Sequence, residues 1–440
     1  MSDVAESAPL ELLPEYPELD PHDRRRIRAD YERFGRDGLP ADVEGYLGEA
    51  YRLDVAASYA GRPIRNPFGK ASGQLSTTIG QVEADAEAGL GFVVLKTVIA
   101  QDEAGAQAMR EWAVPETRMV VEPIAGRRVA RLGWTVTWKG RGWFDTFAAY
   151  LDLFRTALVV GGRRGTVVAP SCKYHLPGPD EAGWREAEYA YTTRELHRVW
   201  REAGPDPAAP MPLEKDFSPT LAGSDRARQR EGILEWVRIA PRLIKAQLPP
   251  GQLTLGLKLM NVVDDDDFQF EMLRAAVEAA APGEGPDYLV YANRLFDPKR
   301  EFLGQVGVAY GGPDLSARNL ALLDRLRRAQ LRGEIHGPVP EISATGDVHS
   351  GRMALEYALR GARSVQMHTL FQLPDAYYGL RRGTRSQQAL HHLYFHPLTG
   401  LVPWLLHLRR QGLESADGLT RLSDLATWYR DEGRKAFLGG

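Results

Sequence analysis

Eight short runs rich in apolar and β-branched residues recur along the chain, and each is parted from the next by enough sequence for a helix. They read "PFGKASG", "GFVVLKT", "TVVAPSCK", "MPLEKDFS", "LTLGLKL", "DYLVYAN", "PEISATG" and "SVQMHT". Between them lie segments with helical spacing of apolar residues, such as "IGQVEADAEAG", "EGILEWVRIAPRLIKAQ" and "NLALLDRLRRAQ". Strands alternating with helices favour a parallel sheet covered on both faces, and uninterrupted apolar strands agree with that.

Eight such units suit closure of the sheet, so the predicted fold class is α/β, a (β/α)8 TIM barrel over residues 51–375. Residues 1–50, with the charged stretch "DPHDRRRIRADYERFGRDG", are expected to form an N-terminal extension of one or two amphipathic helices outside the core. "YRLDVAASYAGRPIRN" reads as a hairpin turned at Gly61. The Trp- and Arg-rich segment 103–163, between the second and third strands, is predicted to be an insertion or lid. Residues 376–440 are predicted to be a C-terminal helical extension.

A net charge of −3 argues against a nucleic-acid partner, which calls for a concentrated basic excess. No apolar run approaches the roughly 18 residues of a membrane span. The acidic opening "MSDVAESAPLELLPEYPELD" lacks the basic region of a signal peptide. Cys172 is the only cysteine, so no internal disulfide and no iron–sulfur cluster is expected. These features together predict a cytosolic protein.

Of 55 basic residues only nine are lysine, and five of those (Lys70, Lys96, Lys173, Lys215, Lys258) fall at or near the ends of predicted strands. In a barrel of this kind that face carries the active site. Lys70 and Lys173 are expected on exposed rims. Lys96 and Lys258, flanked by apolar strand residues, are expected to be buried and to need an anionic partner. The last two strands end in Thr345-Gly346-Asp347 and Gln366-Met367-His368-Thr369, with a helical set (Ala354, Leu355, Ala358, Leu359) between them. Two adjacent strand tips with free N–H groups suit a phosphate.

"NPFGKASG" followed by "AGLGFVVLKT", then "LGLKLMN", "YANR", "GGPDLSARNLALLDRL" and "SATGDVHSGRMALEYALRGARSVQMHTLF", resembles in order and spacing the dihydroorotate dehydrogenase family. The flavin barrel of dihydropyrimidine dehydrogenase is similar in the same way. The resemblance covers roughly residues 50–372. It implies an FMN across the barrel mouth, with Ala71 and Ser72 lining the flavin and Lys96 at the ring edge. Lys258 would lie near N1/O2, where charge accumulates on reduction. Gly312, Gly346, Asp347, His368 and Thr369 would surround the phosphate. The family usually has glycine where this chain has Asp347 and His368. A carboxylate there is unfavourable unless it points away, whereas a histidine can donate to an anion. FMN rather than FAD is expected, because no dinucleotide fingerprint is found near this turn.

The family's catalytic base lies after the fourth strand, and "DFSPTLAG" resembles its serine form, which places Ser218 at that position. Cys172, on the third strand, is not the base in this alignment. Asn293 would hydrogen-bond a substrate carbonyl. The expected activity is therefore an FMN-dependent oxidoreduction of a C–C bond beside a carbonyl in a small-molecule substrate. In that scheme Ser218 moves the α-proton and Lys258 offsets charge on the flavin.

The asparagines that hold orotate in the family are mostly missing. Lys215 and Thr220 stand at two of those places, Arg294 follows Asn293, and "RLGWTVTWKGRGWF" contains no asparagine. The tryptophans and Arg141 point instead to a larger, partly aromatic and anionic substrate in a specialised pathway. The alternatives are a genuine dihydroorotate dehydrogenase of pyrimidine biosynthesis, a flavin-free phosphate-binding barrel isomerase or lyase, and a barrel that keeps FMN without substrate chemistry. The electron partner stays open, and so does a homodimer. "DDDD" (264–267) reads as a helix start rather than a metal cluster. His392 and His396 have i, i+4 spacing without an acidic partner, so no metal is expected. Trp134, Trp138, Trp143 and Phe144 read equally as core or as pocket wall.

Overall fold

A computed structural model describes residues 11–115, 119–138, 142–178, 180–181, 183–217, 229–263, 265–280, 283–425 and 427–428. Its centre is one parallel, curled sheet of ten strands. Their order is Val98–Ile99, Ser171–Lys173, Met211–Asp216, Leu253–Lys258, Tyr288–Tyr291, Glu341–Thr345, Ala362–Met367, Phe68–Lys70, Phe92–Val94, Val167–Ala169. All eight runs predicted as strands contribute to it. Two of them are interrupted. The third run breaks at Pro170, which has no N–H to give to a ladder. The second breaks at 95–97, although the Leu95 N–H still reaches the Ala169 carbonyl at 2.9 Å and the Ala100 N–H reaches that of Lys173 at 3.0 Å.

Helices pack around this sheet, and their ends follow local chemistry. The helix Ile79–Ala88 opens with a reciprocal capping box of Thr78 and Gln81 and stops at Gly89 in the left-handed region. In the helix Arg230–Lys245, Ile233, Trp236, Val237, Ala240 and Ile244 recur at helical spacing and all are buried. Asp265 caps the helix Asp266–Glu278 by accepting the Phe268 N–H at 2.8 Å, so the acidic run does mark a helix start.

The hairpin Ala57–Tyr59/Arg62–Ile64 turns at Ala60-Gly61, and it plugs the end where the strands begin. Tyr59 stacks on Phe92 with ring centroids 3.9 Å apart, and its hydroxyl donates to Glu214 at 2.8 Å.

Two expectations need correction. The N-terminal extension is not outside the core. Ile27 and Phe34 of the helix Pro21–Asp37, with Val43, Leu47 and Tyr51 of the next helix, are buried in the same core as the C-terminal helices. Phe34 lies 4.9 Å from Phe395, and Tyr31 stacks on His391 at 4.6 Å. The arginines of the first helix dominate its composition but occupy its outer side, which hides the apolar stripe. Within the segment 103–163, residues from Phe147 onward belong to the helix Phe147–Arg164, whose Tyr150, Phe154, Ala157 and Leu158 enter the core. What overlies the sheet is the hairpin Met119–Ala125/Leu132–Trp138.

Candidate functional site

A cavity of about 560 Å³ opens over the ends of the parallel strands, within the usual size for small-ligand sites. Successive strand ends supply its floor. Ala71 and Ser72 follow the strand Phe68–Lys70, and Lys96 and Thr97 lie between Phe92–Val94 and Val98–Ile99. Asp216 and Lys258 end their strands, and Asn293 and Arg294 follow Tyr288–Tyr291. Thr345, Gly346 and Asp347 meet Gln366, His368 and Thr369 at the last two strand ends, and Gly312 completes that side. Ser218, Thr220 and Arg141 lie outside the described residues.

Two hairpins roof the cavity, and only one falls in a segment singled out from the sequence. The first carries Trp134 and Trp138. It is fixed to the start of the helix Pro313–Leu331, where the Asp314 carboxylate accepts the N–H groups of Arg127 and Arg128, each at 2.8 Å. The second, Leu295–Phe302/Gln305–Tyr310, contributes Phe296, Phe302 and Val308. Arg300 of the second pairs with Glu122 of the first, which ties the roof together. Leu132 is 83% exposed and Val306 68% exposed, both at the cavity rim. Trp143 is buried in the core and Phe144 is exposed, so the four aromatics divide between wall, core and surface.

The five strand-end lysines divide as well. Lys96 and Lys258 line the cavity and are nearly buried. Lys70 and Lys173 are not on exposed rims, being only 5% and 4% exposed. Lys70 pairs with Asp85 at 2.5 Å, and Lys173 lies 3.6 Å from Asp216 and 4.7 Å from the centre of the Trp112 ring. Lys215 donates to the Tyr174 and Asp216 carbonyls at 3.4 and 3.0 Å. Burial there brings its ammonium down to about 7. Lys258 has no ion-pair partner among the described residues, but the Glu214 carboxyl lies close enough to feel its charge. Glu214 is fully buried and accepts from Tyr59 at 2.8 Å and from the Gln366 amide at 2.5 Å. Desolvation raises its pKa, and the Lys258 charge opposes the rise.

The proposed phosphate end combines several separate features. Gly312 (φ 94°) precedes a helix N-terminus, where backbone N–H groups favour an anion. Gly346 has φ 116°, and a Cβ there would stand 2.7 Å from Asn319 Nδ2. Asp347 follows in the left-handed region at φ 53°. Its carboxylate accepts from Ser316 Oγ at 3.1 Å and lies 3.7 Å from His349 Nδ1, and burial raises its pKa. His368 Nδ1 meets the Gln372 amide at 3.0 Å, its ring centre is 4.9 Å from that of Trp138, and its buried Nε2 has no hydrogen-bond partner among the described residues. Desolvation first, then the charges of Arg294, Lys96, Lys70 and Lys258, hold His368 neutral, well below the ordinary histidine pKa.

Asn293 Nδ2 stands 3.4 Å from Asp216 Oδ1, and Asn293 Oδ1 accepts the Arg294 backbone N–H at 3.0 Å. The amide is thereby held by its neighbours at the cavity edge. Cys172 is fully buried outside the cavity lining, and desolvation pushes its thiol up, which suits packing rather than base chemistry. His392 and His396 lie with ring centres 4.8 Å apart. Among the described residues, the one group of three potential metal ligands is Asp20, His22 and Asp23, away from this cavity.

Asp216, Glu214, Thr97 and the whole second hairpin were not singled out from the sequence. Asp216 and Glu214 alternate on one strand, a period-2 signal hidden inside a run read only as apolar. The second hairpin was legible in the alternation "QVGVAY" after the turn Leu303-Gly304. Comparison with family models and with curated proteins gave no match to this chain.

Proposed function

We propose that this protein is an FMN-dependent oxidoreductase acting on a C–C bond beside a carbonyl, built on a closed (β/α)8 barrel. One observation carries the reading. Ala71, Ser72, Lys96, Lys258, Asn293, Gly312, Gly346, Asp347, His368 and Thr369, scattered over some 300 residues, all line one cavity. Barrel closure is supported by the register. Residues 92–99 pair with 167–173 at both of their segments, so ten strands reduce to eight and the two ends of the strand order are the same pair.

The residues fit the cofactor in three respects. Gly312 leads into a helix N-terminus, a side chain at Gly346 would collide with Asn319 and Leu315, and the buried Nε2 of His368 has no partner among the described residues. Asp347 is the exception, relieved by its contacts with Ser316 and His349. Bound FMN supplies hydride-level, two-electron chemistry.

The protein's own groups do the rest. Lys258 and Lys96 bring positive charge to the cavity floor, Asn293 presents a fixed amide to a substrate carbonyl, and the two hairpins limit access of water. Ser218 would hold or return the α-proton. Trp134, Trp138 and Arg294 support a substrate larger than orotate and anionic, metabolised in a specialised pathway. No helix among the described residues is long and apolar enough to cross a membrane.

The test is a substrate-dependent change of flavin oxidation state. The anaerobic protein is mixed with dihydroorotate, then with larger ring carboxylates carrying a saturated bond beside a carbonyl. Bleaching of the visible band by the latter, absent in Ser218→Ala, is expected. Rapid bleaching by dihydroorotate would instead support ordinary pyrimidine synthesis.

A further inference from the structure

Arg294 sits at the end of a central strand, where its guanidinium enters the cavity. It is half-buried, and it lines that space. The hydrogen bonds that its guanidinium makes to the described residues both leave from one nitrogen. Nη2 donates to the Val136 carbonyl and to Thr135 Oγ1, the latter at 3.3 Å. The guanidinium carbon is 4.5 Å from the centre of the Trp138 ring, which holds the plane of the fork.

Among the described residues no carboxylate pairs with Arg294. Acids that line or roof the cavity are engaged elsewhere: Asp216 with Lys173 at 3.6 Å, Asp347 with Ser316 at 3.1 Å, and Glu122 with Arg300. The charge that acts on Arg294 is a like one, from Arg300. A guanidinium has five N–H donors in a planar fork, and Nε and Nη1 have no protein acceptor among the described residues. A half-buried cation without a counter-charge is still partly desolvated, so the missing anion is expected from a ligand.

Two anions could serve, a cofactor phosphate or a substrate carboxylate. The phosphate end already offers the helix N-terminus after Gly312 and the paired strand tips at Gly346 and Thr369. Arg294 instead adjoins Asn293, the amide assigned to the substrate carbonyl, and its planar fork matches a carboxylate. We propose that Arg294 binds the carboxylate of a ring-bearing substrate and so sets the specificity of this site. The inference rests on the oxidoreductase reading only for calling this cavity a substrate site.

The test compares benzoate with its neutral isostere benzamide. Binding is followed by calorimetry, and FMN content is measured separately. Wild type should bind benzoate more tightly than benzamide by about tenfold or more, the scale of a charge-assisted hydrogen bond. Arg294→Gln should erase that preference, and Arg294→Lys should keep part of it, with FMN content unchanged in both. Equal or undetectable binding of the two probes by wild type overturns the proposal, as does a preference that survives Arg294→Gln. Loss of FMN in Arg294→Gln with the benzoate preference intact overturns it too, and assigns the residue to the phosphate. Calorimetry needs no flavin. A colourless protein that still shows an Arg294-dependent benzoate preference would therefore sink the flavin reading and leave this one standing.

Discussion

Lys70 Nζ lies 2.5 Å from Asp85 Oδ1, and both side chains are almost wholly buried. The carboxylate also accepts from Ser386 Oγ at 2.5 Å, so a strand end, the helix Ile79–Ala88 and the C-terminal helix Arg385–Phe395 meet at one ion pair. Breaking such a pair strands a charge in low dielectric, whereas replacing both partners does not. Lys70→Met should cost about 3–5 kcal/mol in urea unfolding, and Lys70→Met/Asp85→Leu should recover most of it. A single variant as stable as wild type would show that the pair is not structural.

Asp314 holds the first roof hairpin by two backbone N–H groups. Hydrogen bonds to a charged group contribute about 1.5–3 kcal/mol each, so Asp314→Ala should free this hairpin without unfolding the sheet. Limited proteolysis would report it. Cleavage within 119–138 should accelerate, while global unfolding by urea shifts little.

Glu188 supplies a pH dependence. Its Oε1 accepts the Ala108 N–H at 2.5 Å, its buried Oε2 has no partner among the described residues, and desolvation lifts its pKa to about 7. The folded state therefore holds this proton more tightly than the unfolded chain. The resulting stability is fully present below the ordinary carboxyl value of 4.5 and is lost as pH rises through about 7. Each tenfold gain in proton affinity contributes about 1.36 kcal/mol at most. Glu188→Gln should flatten the fall in Tm between about pH 5 and about pH 8, and should melt higher than wild type at the upper value. Parallel curves for the two proteins would contradict this.

Lys258→Met keeps most of the stem and removes the ammonium. On the proposed reading it should bind FMN and fold normally but slow flavin reduction by about 10²–10³-fold, the scale of one lost electrostatic donor. Unchanged single-turnover kinetics would reject the role.

The strands were legible because each is a short apolar run bounded by turn residues, and the strand-end lysines because lysine is rare against arginine in this chain. Whether a given lysine faces the cavity or a neighbouring helix was not legible. Lys70, between Gly69 and Ala71, and Lys258, between Leu257 and Leu259, are equally buried, yet one meets Asp85 and the other lines the cavity. Only tertiary packing separates them. The burial of the N-terminal helices was hidden for a related reason: their partners, the helices of residues 385–410, lie some 350 residues away.

The most direct test of the central claim is the visible absorption spectrum of the purified protein, with the mass of whatever chromophore denaturation releases. A flavin spectrum, about one FMN per chain and no FAD is the predicted result. A colourless protein that takes up no added FMN would contradict it.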